Sequence, residues 1–130
     1  MKLKGFNNGA YITFTDEVQP QDFVASTEFA LQREDISSLD FWIMDMQKVS
    51  SLRITESQVK LLADRDKVTA KYWLQELLYV VIVGDSFYQQ NKHLFDVYMS
   101  MIKENTNWKL YIVSNEDDCR KLLQDSGLEN

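Results

Sequence analysis

Apolar and polar residues follow two different periods along this chain, and the two periods alternate from one end to the other. Near the start, two stretches flank residues 7–9, which contain Asn-Gly, the strongest short signal for a hairpin, and the second stretch has the two-residue alternation of a strand. Two later stretches are short and apolar on both faces, as central parallel strands are. The predicted strands are residues 2–6, 10–15, 41–46, 78–83 and 108–113.

Between the strands, apolar residues recur at the three-to-four-residue spacing of amphipathic helices. The first predicted helix spans residues 20–33 and starts at the chain's only proline. Residues 55–58 and 86–89 read TESQ and SFYQ, the capping-box pattern in which a hydroxyl and a Gln side chain each accept the other residue's backbone N–H. Thr55 and Ser86 are therefore predicted to be the N-caps of the next two helices.

The order of these elements determines the predicted fold class. Asn115 is predicted to cap a fourth helix, which ends before Gly127. A hairpin followed by alternating helices and strands implies an α/β domain: a mostly parallel sheet of about five strands, with an antiparallel N-terminal edge hairpin and four helices. The 130 residues, 45% hydrophobic and 26% charged, suit a single domain over residues 1–130.

Composition narrows the classes of function. The net charge of −6 provides no basic footprint, so no nucleic-acid partner is expected. The longest apolar run, residues 77–83, is too short to cross a bilayer, and the first residues lack the apolar part of a secretory signal. The only cysteine, Cys119, fits a reducing compartment, so a cytoplasmic location is predicted. With one Cys, one His and no Gly-rich phosphate loop, no metal and no cofactor is expected.

Three stretches of the sequence resemble one known family. Residues 40–63, DFWIMDMQKVSSLRITESQVKLLA, have its apolar strand, Asp, Val-containing loop and helix. Residues 79–88, YVVIVGDSFY, have its apolar strand ending in a small residue and Asp, and residues 107–123, NWKLYIVSNEDDCRKLL, have its closing Trp, strand, acidic turn and short helix. The chain therefore resembles the STAS/SEC14-like domains, in the stand-alone bacterial SpoIIAA-like form, over nearly its whole length.

The resemblance implies a STAS-like fold and a binding role rather than catalysis. Antagonists of anti-sigma factors in this family bind a partner kinase and are switched by phosphorylation of a Ser or Thr that follows an Asp at a helix start. Here the comparable residues 51–57 lack that Asp, and Thr55 aligns with the phosphorylated position only after one residue is inserted. Larger relatives bind lipids in an apolar cavity, but a chain of 130 residues is expected to have little room for such a cavity beside its own core.

Candidate functional residues come from the loops predicted at the C-terminal ends of the parallel strands, where open α/β sheets place ligands. These loops are residues 47–53, 84–87 and 114–115. We expect a non-enzymatic binding or regulatory domain that acts through a protein partner or as a homodimer, or alternatively a small-ligand or lipid-binding domain using the same loops. The candidate partner or ligand surface consists of Lys48, Ser50, Ser51, Arg53, Thr55, Ser57, Gly84, Asp85 and Ser86.

An enzyme is the third hypothesis, and two features bear on it. The turn at residues 84–86 resembles that of hydrolases with a nucleophilic Ser, but the only histidine, His93, lies two helical turns further along the same helix. Asp66 falls near the apolar stripe of its helix, and we interpret it as a carboxylate paired with Arg65 or Lys67, with a catalytic acid as the alternative.

Four large apolar side chains have two interpretations. They are either packed or scattered residues, or they form an apolar surface that marks an interface. These side chains are Tyr88, Phe95, Met99 and Trp73.

Overall fold

A computed structural model describes residues 2–5, 9–31, 39–71 and 77–127 of the chain. Its strands are β1 (Lys2–Gly5), β2 (Gly9–Val18), β3 (Phe41–Leu52), β4 (Leu78–Ile82) and β5 (Lys109–Val113). Its helices are α1 (Pro20–Leu31), α2 (Glu56–Ala70), α3 (Asp85–Gln90), α4 (Lys92–Asn105) and α5 (Glu116–Asp125). Helices and strands alternate after β2, which confirms the predicted α/β class.

The strands form one sheet in which spatial order equals sequence order, β1-β2-β3-β4-β5. β1 pairs with β2 in antiparallel orientation, and the other neighbouring strands pair in parallel. At the centre of the sheet, Val80 is the register partner of Ile43 on one side and of Tyr111 on the other. Of the turn predicted at residues 7–9, residues 7 and 8 lie outside the described part of the chain, and Gly9 is the first residue of β2.

The two faces of the sheet are covered by different helices. Each step from β2 to β5 moves in the same direction, so right-handed crossovers place the connecting helices on one face. Phe23 of α1, Ala63 of α2 and Ile102 of α4 pack on this face, which we call the α2 face. On the opposite face, the α5 face, α5 packs through Cys119 and Leu122. The sheet residues beneath α5 are Phe41, Ile43, Leu78, Val80 and Ile82.

β3 is much longer than its neighbour β4 and contains two irregularities against β2. While β2 advances from Thr13 to Thr15, β3 advances from Asp45 to Lys48, so β3 carries one extra residue. A second extra residue follows, because the step from Asp16 to Glu17 on β2 corresponds to residues 49–51 on β3. Each β-bulge reverses the alternation of side chains on the bulged strand. As a result, three residues spaced three apart all contact the core of the α2 face: Met46, Val49 and Leu52.

The bulges overturn one prediction about this segment. Residues 47–53 were predicted to form a loop, but β3 continues to Leu52 and pairs with β2 through most of that length. The polar pairs Gln47-Lys48 and Ser50-Ser51 break the two-residue alternation because a bulge falls at each of them. Three of the predicted site residues, Lys48 among them, therefore lie on a strand.

Two of the predicted helix caps are confirmed, and one is wrong. The Gln58 N–H donates to Thr55 Oγ1 at 3.2 Å and the Thr55 N–H donates to Gln58 Oε1 at 2.9 Å, which completes the capping box of α2. Asn115 caps α5 by accepting the Asp118 N–H at 2.8 Å. Ser86 is not a cap: α3 begins at Asp85, after Gly84. Because the helix starts two residues earlier than predicted, Ser86 lies inside its first turn.

The prediction of four helices is corrected to five among the described residues. The third predicted helix is interrupted at Asn91, whose backbone leaves the helical conformation at φ −119° and ψ 17°. The Asn91 Nδ2 donates to the carbonyl of Phe87 at 3.0 Å, a local bond that competes with the regular helix pattern. None of the helices in the described ranges has the length and apolar character required to cross a bilayer.

Candidate functional site

A cavity of about 80 Å³ lies between the α2 face of the sheet and helices α1, α2 and α4. It is partly open to solvent, and most of its lining is apolar. The apolar lining includes Phe23, Trp42, Met44, Met46, Leu52, Ile54, Val59, Leu62, Val81, Leu94, Phe95, Met99 and Trp108. Its polar lining is small and consists of Ser26, Thr27, Asp66, Thr69, Tyr79 and Tyr98.

Three of the polar lining residues form a cluster. The Tyr98 hydroxyl donates to Asp66 Oδ2, and it lies 3.5 Å from the Tyr79 hydroxyl. Asp66 comes from α2, Tyr98 from α4 and Tyr79 from β4, so two helices and the sheet each contribute one member. The other polar lining residues satisfy their own helices: the hydroxyls of Ser26 and Thr27 both donate to the Phe23 carbonyl, at 2.7 Å and 3.2 Å.

Burial governs the protonation of this cluster. It raises the pKa of Asp66 to about 6 from an ordinary value of 3.8, although the Tyr98 hydrogen bond and the Arg65 charge act in the opposite direction. Burial, together with the Asp66 charge, raises the pKa of Tyr98 and of Tyr79 above the ordinary value for tyrosine. At pH 7 the cavity therefore presents one carboxylate and two protonated phenols.

Two tryptophan rings of the α2 face stack against the ring of Tyr79, a member of this cluster. Trp42 and Tyr79 are the second residues of the neighbouring strands β3 and β4, and Trp108 directly precedes β5. The Tyr79 ring stacks on Trp42 with centroids 6.2 Å apart and on Trp108 at 5.9 Å. Such stacking holds large rings in one conformation, so the Tyr79 hydroxyl has a defined position beneath Tyr98.

The carboxylate of Asp45 is buried more completely than that of Asp66, and its hydrogen bonds show a structural role. Asp45 Oδ2 accepts from the Tyr11 hydroxyl at 2.7 Å. Its Oδ1 accepts from the backbone N–H of Gln47 at 3.0 Å and from Gln47 Nε2 at 3.1 Å. Burial and the Asp45 hydrogen bond raise the pKa of Tyr11. Since both oxygens are satisfied at the first bulge of β3, Asp45 stabilises the bulge.

The ion pairing predicted for Asp66 is wrong. Arg65 Nη2 lies 3.9 Å from Glu28 of α1, and Lys67 Nζ lies 2.9 Å from Asp64. Adjacent residues in a helix point in different directions, so Asp66 turns inward while Arg65 and Lys67 contact other carboxylates. Its hydrogen-bond partner within the described ranges is Tyr98, from a different helix.

The predicted site residues before α2 lie on the surface, away from the cavity lining. Lys48 and Ser50 are exposed on β3, and Ser51 is half-buried beside them. Arg53 Nε contacts Glu17 Oε1 at 3.0 Å, which ties the end of β3 to β2. These residues form a ribbon with β2 that extends past β4, because β4 pairs only with residues 41–45 of β3.

The remaining predicted residues occupy two helix starts. Thr55 and Ser57 are exposed at the start of α2, and Asp85 and Ser86 are exposed in α3, after the half-buried Gly84. The side chain of His93 is also exposed, and its Nε2 lies 2.5 Å from Glu56 Oε1 at the start of α2. This contact lowers the pKa of Glu56.

Some of the large apolar side chains on and near α2 are exposed to solvent, and others pack against the core. Leu61 and Val68, 68% and 55% exposed, lie two turns apart on its outer surface. Of the residues predicted to give extra apolar surface, Tyr88, Phe95 and Met99 pack partly against the core, and Trp73 lies outside the described residues.

The cavity cluster was missed at the level of the sequence, although α2 contains a signal for it. Val59, Leu62, Asp66 and Thr69 all line the cavity, with the three-and-four spacing of one helix face. A carboxylate in the middle of the helix face that points inward requires a partner or a ligand.

In the described ranges, no three His, Cys, Asp or Glu side chains lie where they could hold a metal ion. Comparison with protein-family models, curated proteins and solved structures finds no match in any of the three.

Proposed function

We propose that this chain is a non-enzymatic binding domain whose ligand is a small, mostly apolar molecule with one polar group, held in the cavity of the α2 face. The observation that carries this proposal is the convergence of Asp66, Tyr98 and Tyr79 on an otherwise apolar cavity. Apolar pockets with a few convergent polar groups are the usual form of small-ligand sites. The ligand then lies between the sheet and the helices, not in the loops at the strand ends.

The size of the cavity limits the ligand. The cavity has a volume of about 80 Å³ and is partly open to solvent, so it accepts a small molecule that contacts the apolar lining and extends through the opening. A ring of six carbons with one polar substituent is a probe of this kind. Cyclohexanol is therefore a suitable first probe.

The test is a titration of the ¹⁵N-labelled protein with cyclohexanol, followed by amide NMR shifts. We expect saturable shifts around the cavity with a Kd of about 1 mM, which corresponds to about 4 kcal/mol. Leu62→Phe fills the cavity from α2 and should weaken binding at least about tenfold, ~1.4 kcal/mol. Leu61→Phe is the matched control, because the adjacent side chain points to solvent, and it should bind as the wild type does.

Equal binding by the two variants, or no saturable shift in the wild type, would contradict the proposal. The dispersion of the amide spectrum reports whether Leu62→Phe is folded. If it is not, Leu94→Phe fills the cavity from α4 and repeats the comparison.

A second candidate function, a regulatory domain that acts through self-association or a protein partner, is favoured by the outer face of α2. Leu61, Val68 and Ser57 lie on this face, and its two large apolar residues are exposed. Sedimentation equilibrium tests self-association: Leu61→Glu should dissociate a dimer that uses this face. A wild-type protein that stays monomeric at high concentration would exclude the homodimer.

The second proposal, a regulatory domain, includes membership of the STAS/SEC14-like family and a cytoplasmic location. The family is supported by the antiparallel first strand, the parallel sheet and α5 packed on the opposite face. Thr55 and Ser57 are exposed hydroxyls at the start of α2, where this family's antagonists are phosphorylated. Mass spectrometry of protein from native cells should find phosphate on one of them if the switch operates; unmodified Thr55 and Ser57 would leave capping as the role of Thr55.

A further inference from the structure

We propose that the polar group of the ligand is a protonated alkylamine, which binds the Asp66 carboxylate while its apolar body fills the cavity. This inference rests on the proposed ligand-binding function and adds the chemical class of the ligand.

The hydrogen bonding of Asp66 supports an incoming donor. Among the described residues, Asp66 accepts one hydrogen bond, from Tyr98 to Oδ2. A carboxylate offers about four acceptor positions on its two oxygens. Asp45 shows that this fold can satisfy both oxygens of a buried carboxylate when the role is structural. An ammonium group carries three donors and can occupy the acceptor positions that Tyr98 leaves open.

The charges around Asp66 also favour a cation. From α2 itself, Arg65 acts on Asp66 from a distance and contacts Glu28 of α1, and Lys67 contacts Asp64. The groups facing Asp66 from α4 and β4 are the phenols of Tyr98 and Tyr79, which carry no positive charge. A half-buried carboxylate that faces an apolar cavity without a close cation is costly, and a ligand cation reduces that cost.

A carboxylic acid is the competing ligand, because a protonated Asp66 could donate to its oxygen. Two observations favour the amine. Asp66, with a pKa of about 6, is mostly ionised at pH 7, where it repels a second carboxylate. The net charge of −6 also attracts cations and repels anions at longer range.

The experiment compares three probes of similar shape: cyclohexylamine, cyclohexanol and cyclohexanecarboxylate, each titrated against ¹⁵N-labelled protein. An alkylamine keeps its charge below about pH 9, as a lysine side chain does. The ionised fraction of Asp66 rises from about one tenth at pH 5 to about nine tenths at pH 7, so the affinity for cyclohexylamine should rise about tenfold over that range. The affinity for cyclohexanol should stay constant.

Two variants separate Asp66 from general attraction to an acidic protein. Asp66→Asn should weaken cyclohexylamine binding at least about tenfold and leave cyclohexanol binding unchanged. Asp64→Asn removes the same charge from an exposed position on α2 and should leave both affinities unchanged. Tyr98→Phe removes the hydrogen bond that lowers the pKa of Asp66, so the pH at which amine affinity is half-maximal should increase.

Each outcome decides a different claim. Amine binding that depends on pH and on Asp66 supports the inference. If cyclohexanol binds and cyclohexylamine binds no more tightly, or if Asp66→Asn retains amine binding, the inference fails while the binding function stands. Tighter binding of cyclohexanecarboxylate at low pH would show instead that Asp66 acts as a hydrogen-bond donor. If none of the three probes binds, both proposals fail.

Discussion

The burial of Asp66 predicts that this residue destabilises the folded protein at neutral pH, and Asp66→Asn tests that prediction. The folded state raises the pKa of Asp66 to about 6 from 3.8, so folding favours the protonated form. The stabilisation that protonated Asp66 provides is complete below about pH 4 and is lost as the pH rises through about 6. At about 1.4 kcal/mol for each tenfold change in proton affinity, the loss is about 3 kcal/mol at pH 7.5.

Asparagine retains the shape of aspartate and an oxygen that can accept from Tyr98, but it carries no charge to bury. We therefore expect Asp66→Asn to be more stable than the wild type by about 3 kcal/mol at pH 7.5, by about half of that at pH 5, and to match it near pH 3.5. Urea denaturation at a series of pH values, followed by tryptophan fluorescence, gives the difference directly.

Asp64→Asn provides the control, because Asp64 is exposed and pairs with Lys67 on the same helix. Its stability should differ from the wild type by less than about 0.5 kcal/mol over the same range. An Asp66→Asn curve that runs parallel to the wild-type curve, or lies below it at pH 7.5, would refute the assignment of a raised pKa to Asp66. A gain in stability would also mean that the chain retains a costly carboxylate, as binding sites do.

Three further predictions concern the fold. Ile82 is 0% exposed beneath α5, so Ile82→Ala should cost about 2–5 kcal/mol in urea denaturation, and a loss below about 0.5 kcal/mol would contradict its burial. A Cβ on Gly9 would come within 2.4 Å of the Phe41 ring, so Gly9→Ala should cost about 1–3 kcal/mol; an unchanged midpoint would place that ring elsewhere. Thr55→Ala should cost about 1 kcal/mol through the lost cap, while Ser86→Ala should change stability by less than about 0.5 kcal/mol, and a reversed order would restore Ser86 as a cap.

The regular parts of the fold were predictable because their signals are local. Residues 78–83 are apolar throughout, and the strand found there, Leu78–Ile82, is buried along its whole length. Thr55 and Gln58 lie close in sequence, so their capping box is visible without any tertiary information. Ile12 and Phe14 alternate as predicted and pack together in the core of the α2 face.

The parts that were not predictable depend on contacts between distant residues. The bulges of β3 exist only relative to β2, so its polar residues resembled a loop until the register was known. Asp66 and Tyr98 are 32 residues apart, and no local pattern pairs them. The start of α3 at Asp85 also differs from the prediction, because Gly84 provides the turn without a side-chain cap.

The position of α5, alone on one face of the sheet among the described helices, affects how the chain folds during its synthesis. Because neighbouring strands are also consecutive in sequence, each unit can pack onto its predecessors as it leaves the ribosome. The α5 face is different, since its helix is the last of the described elements to be synthesised. A nascent chain that has completed β5 already presents Phe41, Ile43 and Val80 on one uncovered surface, where chaperones bind and aggregation starts. The ten residues Glu116–Asp125 thus cover an apolar surface that is exposed on the nascent chain until α5 is made.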